Sequence, residues 1–374
     1  MQIDSVEVFH AAFPLREAVA GPNGPLDRLE TVFVKMTSGE TAGWSEVAPG
    51  TAPTLGPEWV GSVYAVLREW MMPAVVGSTI DSADAFEERL APFEGNRYAK
   101  AALDMAWWDL KARLEGKPLW KLLGGTKAAV AVGVEFDRNE SIDDFLSDIG
   151  RAYAAGFSRV GLKFRPGWEI PMLSAVRRDY PTQTLHIDCV AGMRLRHMDT
   201  IHRVDDFGID LMEQPLAADD LVGHAMIQES VRTPVCLDES VTTPEQAEMA
   251  LELKSCKFMN LKPARVGGFT AARAIAKACA MEKVACWVGA EPQTAVGLRL
   301  GLALAAGENF TYPSDWIDTA ALLLDVAPAQ PPALAKNEDA GALEAVLWEE
   351  PGIGVAPDET VLRDNAVATT KGVR

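Results

Sequence analysis

Thr184-Leu-His-Ile-Asp188, Ile209-Asp-Leu-Met-Glu213, Pro234-Val-Cys-Leu-Asp238 and Phe258-Met-Asn-Leu-Lys262 are four short apolar runs, each closed by a charged residue. The closing charges follow one another at steps of 25, 25 and 24 residues. A strand, a loop and a helix together use about that much chain, because a βα barrel fits eight such units into roughly 250 residues. Charges at the C-terminal ends of buried parallel strands face the mouth of a barrel, where active sites sit. Three carboxylates and one amine at one mouth point to a metal site with a base beside it.

Working outward from that stretch, the same period extends in both directions. Val130–Phe136 and Arg159–Phe164 read as strands ahead of it, and Ser141–Ala155 as a helix with a Ser cap. Cys286-Trp-Val-Gly289 reads as a seventh strand and Phe310-Thr-Tyr312 as an eighth. Strands alternating with helices over about 190 residues define an α/β class with a parallel barrel. Before this region, residues 2–9, 30–36 and 41–47 read as strands, with Pro14–Arg28 between them as an irregular, Gly- and Pro-rich loop. Tyr98–Leu114 reads as a helix with a nearly continuous apolar face. The expected organisation is an α+β capping domain over 1–125, a barrel over 126–325, and a segment over 326–374 that returns to the capping domain.

The chain has 374 residues and a formal net charge of −18. That charge repels phosphate backbones, so nucleic acid is not an expected partner. No apolar run is long enough to span a bilayer. The opening MQIDSVEVFH lacks the basic and apolar regions of a signal peptide, and the five cysteines are odd in number and scattered. Both features lead to the expectation of a reducing, cytoplasmic location.

Asp188, Glu213 and Asp238 are hard oxygen ligands on successive strands, the donor set that suits Mg²⁺, with Mn²⁺ able to replace it. Burying three negative charges together without a cation is prohibitive. Lys262 ends the next strand, where a low-dielectric mouth and a metal can draw its pKa into the range of a general base.

Asp188, Glu213-Gln-Pro215, Asp238-Glu-Ser240 and Asn260-Leu-Lys-Pro-Ala-Arg-Val-Gly-Gly268 together resemble the motifs of the enolase superfamily. Within it they are most similar to the muconate-lactonizing-enzyme-like subgroup that holds o-succinylbenzoate synthases and N-acylamino acid racemases. Gly43-Trp-Ser-Glu46, Asp104-Met-Ala-Trp-Trp-Asp109, Pro118-Leu-Trp-Lys-Leu-Leu-Gly-Gly125 and Pro351-Gly-Ile-Gly354 extend the resemblance nearly end to end. It implies a modified (β/α)7β barrel under a capping domain built from both termini, with Mg²⁺ on Asp188, Glu213 and Asp238. It also implies removal of a proton α to a carboxylate, using the lysine-plus-Mg²⁺ chemistry known for enolase-superfamily sites. The expected partner is a small-molecule carboxylate, and a symmetric homo-oligomer is the expected assembly.

Departures from the family pattern narrow this expectation. The family's Lys-x-Lys on the second strand reads here as Lys163-Phe-Arg165, and deprotonating an arginine at pH 7 costs about 9 kcal/mol. Arg165 is therefore read as a fixed cation for a substrate anion, leaving Lys262 as the single base and Lys163 beside the intermediate. The family's Asp-x-Asn reads Asp188-Cys-Val190, and Glu135 stands where a small residue is expected. A new acid beside a new arginine predicts a Glu135–Arg165 ion pair. Glu239, Glu291 and Gln293 complete the candidate substrate-binding residues. A barrel that has lost catalysis and only binds a ligand or partner is the competing reading. An ordinary two-base racemase would need a second group opposite Lys262, and no histidine reads as placed for that role.

Overall fold

The computed structural model describes residues 1–21, 24–54, 56–136, 141–164, 167–324, 326–339 and 341–373, and only the backbone of residues 20 and 21. Two sheets organise it. The first has four strands, β1 (Ser5–Gly21), β2 (Gly24–Ser38), β3 (Thr41–Val47) and β14 (Ala366–Val373), in the order β14-β1-β2-β3. β14 comes from the end of the chain and pairs antiparallel with the start, Ser5 opposite Val373.

The described residues of the segment Pro14–Arg28 do not form an irregular loop. β1 and β2 continue through it as an antiparallel pair, with Val19 opposite Leu26 and Gly21 opposite Gly24. Its prolines conceal this in the sequence, since a residue without an N–H reads as a strand breaker. Antiparallel pairing tolerates proline where the ladder is irregular, and the register does shift between Pro14 and Val19. The helix Arg97–Leu114 lies across this sheet and is buried along most of its length, including Ala102, Met105, Ala106 and Leu110.

The second sheet carries the parallel strands β4 (Ala129–Phe136), β5 (Val160–Lys163), β6 (Leu185–Asp188), β7 (Leu211–Glu213), β8 (Val235–Leu237), β9 (Phe258–Asn260) and β10 (Ala285–Trp287) in sequence order. Most of their residues are buried, as expected when both faces of a parallel sheet are covered. Beyond β10, the Cys286 N–H donates to Asn309 O and the Asp315 N–H to Val288 O. β11 (Ser314–Asp315) then pairs parallel with Val132–Gly133 of β4. Hydrogen bonds thus run from β10 through 309–315 back to β4. The eighth strand expected at 310–312 meets β10 there, through the Phe310–Cys286 bridge and the Thr311 N–H to Cys286 O bond, while its pairing with β4 falls further on, at Ser314–Asp315. β12 (Leu334–Lys336) and β13 (Leu343–Val346) add an antiparallel edge on β4.

All five cysteines are free and buried. No helix among the described residues is long and apolar enough to cross a membrane.

Candidate metal centre and acid/base site

Parallel strands in register present neighbouring residues to the same face. Lys163 pairs with Asp188, Asp188 with Glu213, and Glu213 with Cys236. Asp238 lies two residues beyond Cys236 and so returns to the same face one step higher. Asp188, Glu213 and Asp238 are all buried, at 5%, 2% and 3% exposure. The periodicity of four apolar runs therefore does bring the three carboxylates together.

Both lysines are tied into this row. Lys163 Nζ donates to Asp188 Oδ2 at 2.5 Å and pairs with Glu135 at 3.3 Å. Lys262 Nζ donates to Asp238 Oδ2 at 3.1 Å, and Arg265 meets Asp238 Oδ1 at 2.5 Å. Glu213 accepts from Asn260 Nδ2 at 2.8 Å, while its Oε2 finds no aligned donor among the described residues. Asn260 is itself fixed, since its Oδ1 accepts from the Gly289 N–H at 2.7 Å.

The electrostatics follow from this crowding. Burial pushes Glu213 up to about 7, and the charge of Asp188 adds to the shift. Burial likewise raises Asp188, against the pull of Lys163. Asp238 is buried too, but Arg265 and Lys262 outweigh that cost and hold it below the usual carboxylate range. Burial works against both lysine charges. Glu135 and Asp188 nevertheless raise Lys163, and Asp238 raises Lys262.

Among the other expected residues, Glu135 reaches Lys163 and lies 3.5 Å from His186 Nε2. Arg165 lies outside the described residues, so the expected ion pair with Glu135 is not described either. Glu239 follows Asp238, and burial raises it to about 7 with a further push from that neighbour. Glu291 and Gln293 line a recess with Lys262, Met105 and Glu46, and Tyr98 from the long helix donates its hydroxyl to Glu291. Trp44 and Trp287 are packed at 2% and 1% exposure. Sequence reasoning missed His186, Asn260, Arg265 and Tyr98 as members of this neighbourhood. For His186 and Asn260 a signal existed, because each lies two residues before a strand-end charge and shares its face.

A bare cluster of three buried acids is unfavourable, and Glu213 Oε2, with His186 Nε2 3.3 Å away but not in line for a hydrogen bond, keeps a lone pair for a cation. An all-oxygen set of this kind fits a hard divalent ion.

The remaining motifs join the first sheet and its helix to the barrel. Asp104 accepts from the Phe269 N–H at 2.6 Å and the Thr270 N–H at 3.2 Å, at the start of the helix Phe269–Met281. Asp109 accepts from the Trp44 N–H at 2.7 Å and the Ile353 N–H at 2.6 Å. Glu46 accepts from the Thr294 and Gly297 N–H groups at 2.9 and 2.8 Å, at the N-terminus of the helix Ala295–Ala305. Asp104 and Glu46 satisfy helix-end donors that have no partner within their own helix, while Asp109 ties a strand of the first sheet to the turn at Ile353.

This architecture and site define a barrel enzyme of the enolase superfamily, and comparison with known proteins places the chain there. Residues 144–361 match the enolase C-terminal domain-like family, and residues 5–124 match the mandelate racemase / muconate lactonizing enzyme N-terminal domain. The chain belongs to this superfamily, whose members use a divalent metal ion. It is 35% identical over 316 residues to an o-succinylbenzoate synthase of Geobacillus kaustophilus, covering 84% of each protein. It is also 35% identical over 315 residues to an N-succinylamino acid racemase of Thermus thermophilus, covering 84% of this chain and 85% of the other. The solved structure of an enolase-superfamily member from Listeria innocua superposes with a TM-score of 0.92 at 28% identity, covering 100% of this chain and 99% of that one.

Proposed function

We propose that this enzyme removes the proton α to the carboxylate of a small substrate, with Mg²⁺ held by Asp188, Glu213 and Asp238 and with Lys163 and Lys262 as an opposed acid/base pair. One observation carries the reading. β5 and β9 are the second and sixth of the strands that lead round the barrel, and their lysines bind the two outer carboxylates of the series. A substrate seated over the carboxylates then has one lysine toward each face. This reading departs from the single-base expectation, which treated Arg165 as the counterpart of a second lysine. Lys163 itself lies on the same face as Asp188 and competes for that role.

Both lysines are protonated where they neutralise carboxylates. With a divalent ion on Asp188, Glu213 and Asp238, that negative charge is spent, and the amines titrate lower. A divalent ion held there would stabilise the negative charge that develops on the substrate carboxylate. A neutral lysine on one face then takes the α-proton, and the opposite ammonium returns a proton for racemisation. In an elimination, one lysine removes the α-proton and, as the ammonium, returns a proton to the β-hydroxyl, which leaves as water as the double bond forms. Glu291 and Gln293 in the recess beside Lys262, Glu239 near the same lysine and Glu135 beside Lys163 are proposed to orient the substrate, together with Arg165.

N-succinylamino acids and the succinylbenzoate precursor are the first substrates to test, by analogy with the relatives. We further read residues 1–125 with 326–374 as the capping unit and 126–325 as the catalytic barrel. Incubation in D₂O with Mg²⁺, followed by NMR, is the deciding experiment. The expected result is α-deuterium incorporation from both enantiomers of an N-succinylamino acid, or conversion of the precursor to succinylbenzoate. Exchange with strict retention would restore the single-base reading.

A further inference from the structure

Beneath the carboxylate row the barrel interior holds a buried ionic stack that the acid/base chemistry does not use. Arg159 and His186 are both fully buried. The Arg159 guanidinium pairs with Asp315, lies over the Trp287 ring at 4.9 Å and contacts His186 Nδ1 through Nη1 at 3.2 Å. His186 Nε2 points the other way, 3.3 Å from Glu213 Oε2 and 3.5 Å from Glu135 Oε1. Room for the stack comes from two glycines. A Cβ at Gly133 would lie 2.6 Å from Arg159 Nε, and one at Gly161 would lie 3.0 Å from His186 Nε2.

Glu135, His186 and Glu213 have the appearance of a metal triad, since one ligand atom from each lies within 4.8 Å of the others. The Arg159 contact argues against it. A guanidinium has only donors, so the bond to Nδ1 needs the imidazole lone pair on that nitrogen. The ring proton must then sit on Nε2, which lies near the two carboxylates without an in-line hydrogen bond to either and has no lone pair for a metal.

We propose that Arg159 and His186 are positioning residues: Arg159 fixes the ring, and the attraction of the His186 Nε2–H, 3.3 Å away, keeps Glu213 Oε2 in the orientation that lets Glu213 bind the divalent ion. The proposal rests on the reading that Glu213 is a metal ligand. Outer partners of this kind commonly change metal affinity 10–100-fold when removed. With Asn260 holding Oε1 from β9 and His186 contacting Oε2 from β6, Glu213 is gripped from both sides.

Titration calorimetry of the full-length protein with MgCl₂ and MnCl₂ tests this. His186→Leu should bind about 10–100-fold more weakly. His186→Gln, whose amide can donate from a similar position, should stay within a few-fold of the parent, and the parent should bind one ion. Parent-like affinity in H186L, a loss in H186Q as large as in H186L, or a second ion bound through His186 would each overturn the proposal. Glu213→Gln separates the two levels: parent-like binding there removes the underlying reading instead. Should H186L fail to fold, ¹⁵N imidazole spectra of the parent protein decide. Nε2 is expected to keep its proton on loading with Mg²⁺ or Zn²⁺, and its loss would make His186 a ligand.

Discussion

Lys163 and Lys262 bind opposite ends of one carboxylate series, Lys163 Nζ at 2.5 Å from Asp188 and Lys262 Nζ at 3.1 Å from Asp238. Each lysine closes its run on the strand next to the acid it touches. The symmetry has a chemical consequence, because a planar intermediate lying across the series presents one face to each amine. It also makes the roles of the two residues separable by experiment.

Lys262→Ala and Lys163→Ala should each lower α-proton exchange by roughly 10²–10⁴-fold, the usual worth of a general base. The losses should differ by enantiomer. Each variant is expected to keep exchange on the face served by the lysine that remains, read by NMR in D₂O with each pure enantiomer. Equal loss on both faces in K262A alone would assign all proton transfer to Lys262.

Removing the divalent ion should destabilise the protein, because a ligand held at 100 times its Kd adds about 2.7 kcal/mol to the folded state. EDTA is expected to lower Tm by several degrees in the parent protein. In Asp238→Asn, where the site loses a charge, Tm should respond little to EDTA. A scanning calorimetry pair with and without Mg²⁺ checks this.

Gly268 has φ of +115° and lies against Asp104, so that an added Cβ would meet Asp104 Oδ2 below contact distance. Gly268→Ala should therefore cost about 2–4 kcal/mol through backbone strain and displacement of a buried, hydrogen-bonded carboxylate. Thermal unfolding of G268A measures it. An unchanged Tm would show that this join contributes little.

Asp104 gives a pH signature. Burial pushes it up to about 7, against the lowering effect of hydrogen bonds from Thr270 and Phe269. The folded form therefore holds its proton at a pH where the unfolded form has lost it. The associated stability is complete below about pH 4 and is lost as pH rises toward 7. The stability difference between the parent and Asp104→Asn should shrink across that window and level off above it, which denaturation at stepped pH would show.

Strand-end charges were legible because a buried parallel strand leaves a simple trace: a few apolar residues closed by one polar group. Asp188, Glu213, Asp238 and Lys262 follow that pattern. The strand pairing within Pro14–Arg28 was not legible, since its stability comes from pairing between strands and not from the composition of either one. The eighth strand was legible only on its β10 side, for a related reason. Phe310 and Tyr312 have strand-like side chains, yet the pairing with β4 falls at Ser314 and Asp315, which do not.

By itself the sequence determined the alternation of strands and helices, the α/β class and the acids that end successive strands, because these depend on periodicity along the chain. Only the tertiary structure decided which side chains meet across it. The Arg159–His186–Glu213 stack joins residues from three strands, and Asp104, Asp109 and Glu46 reach groups more than 65 positions away. Such contacts follow from register and closure of the sheet, which are properties of many strands together and leave no mark on any single run of residues.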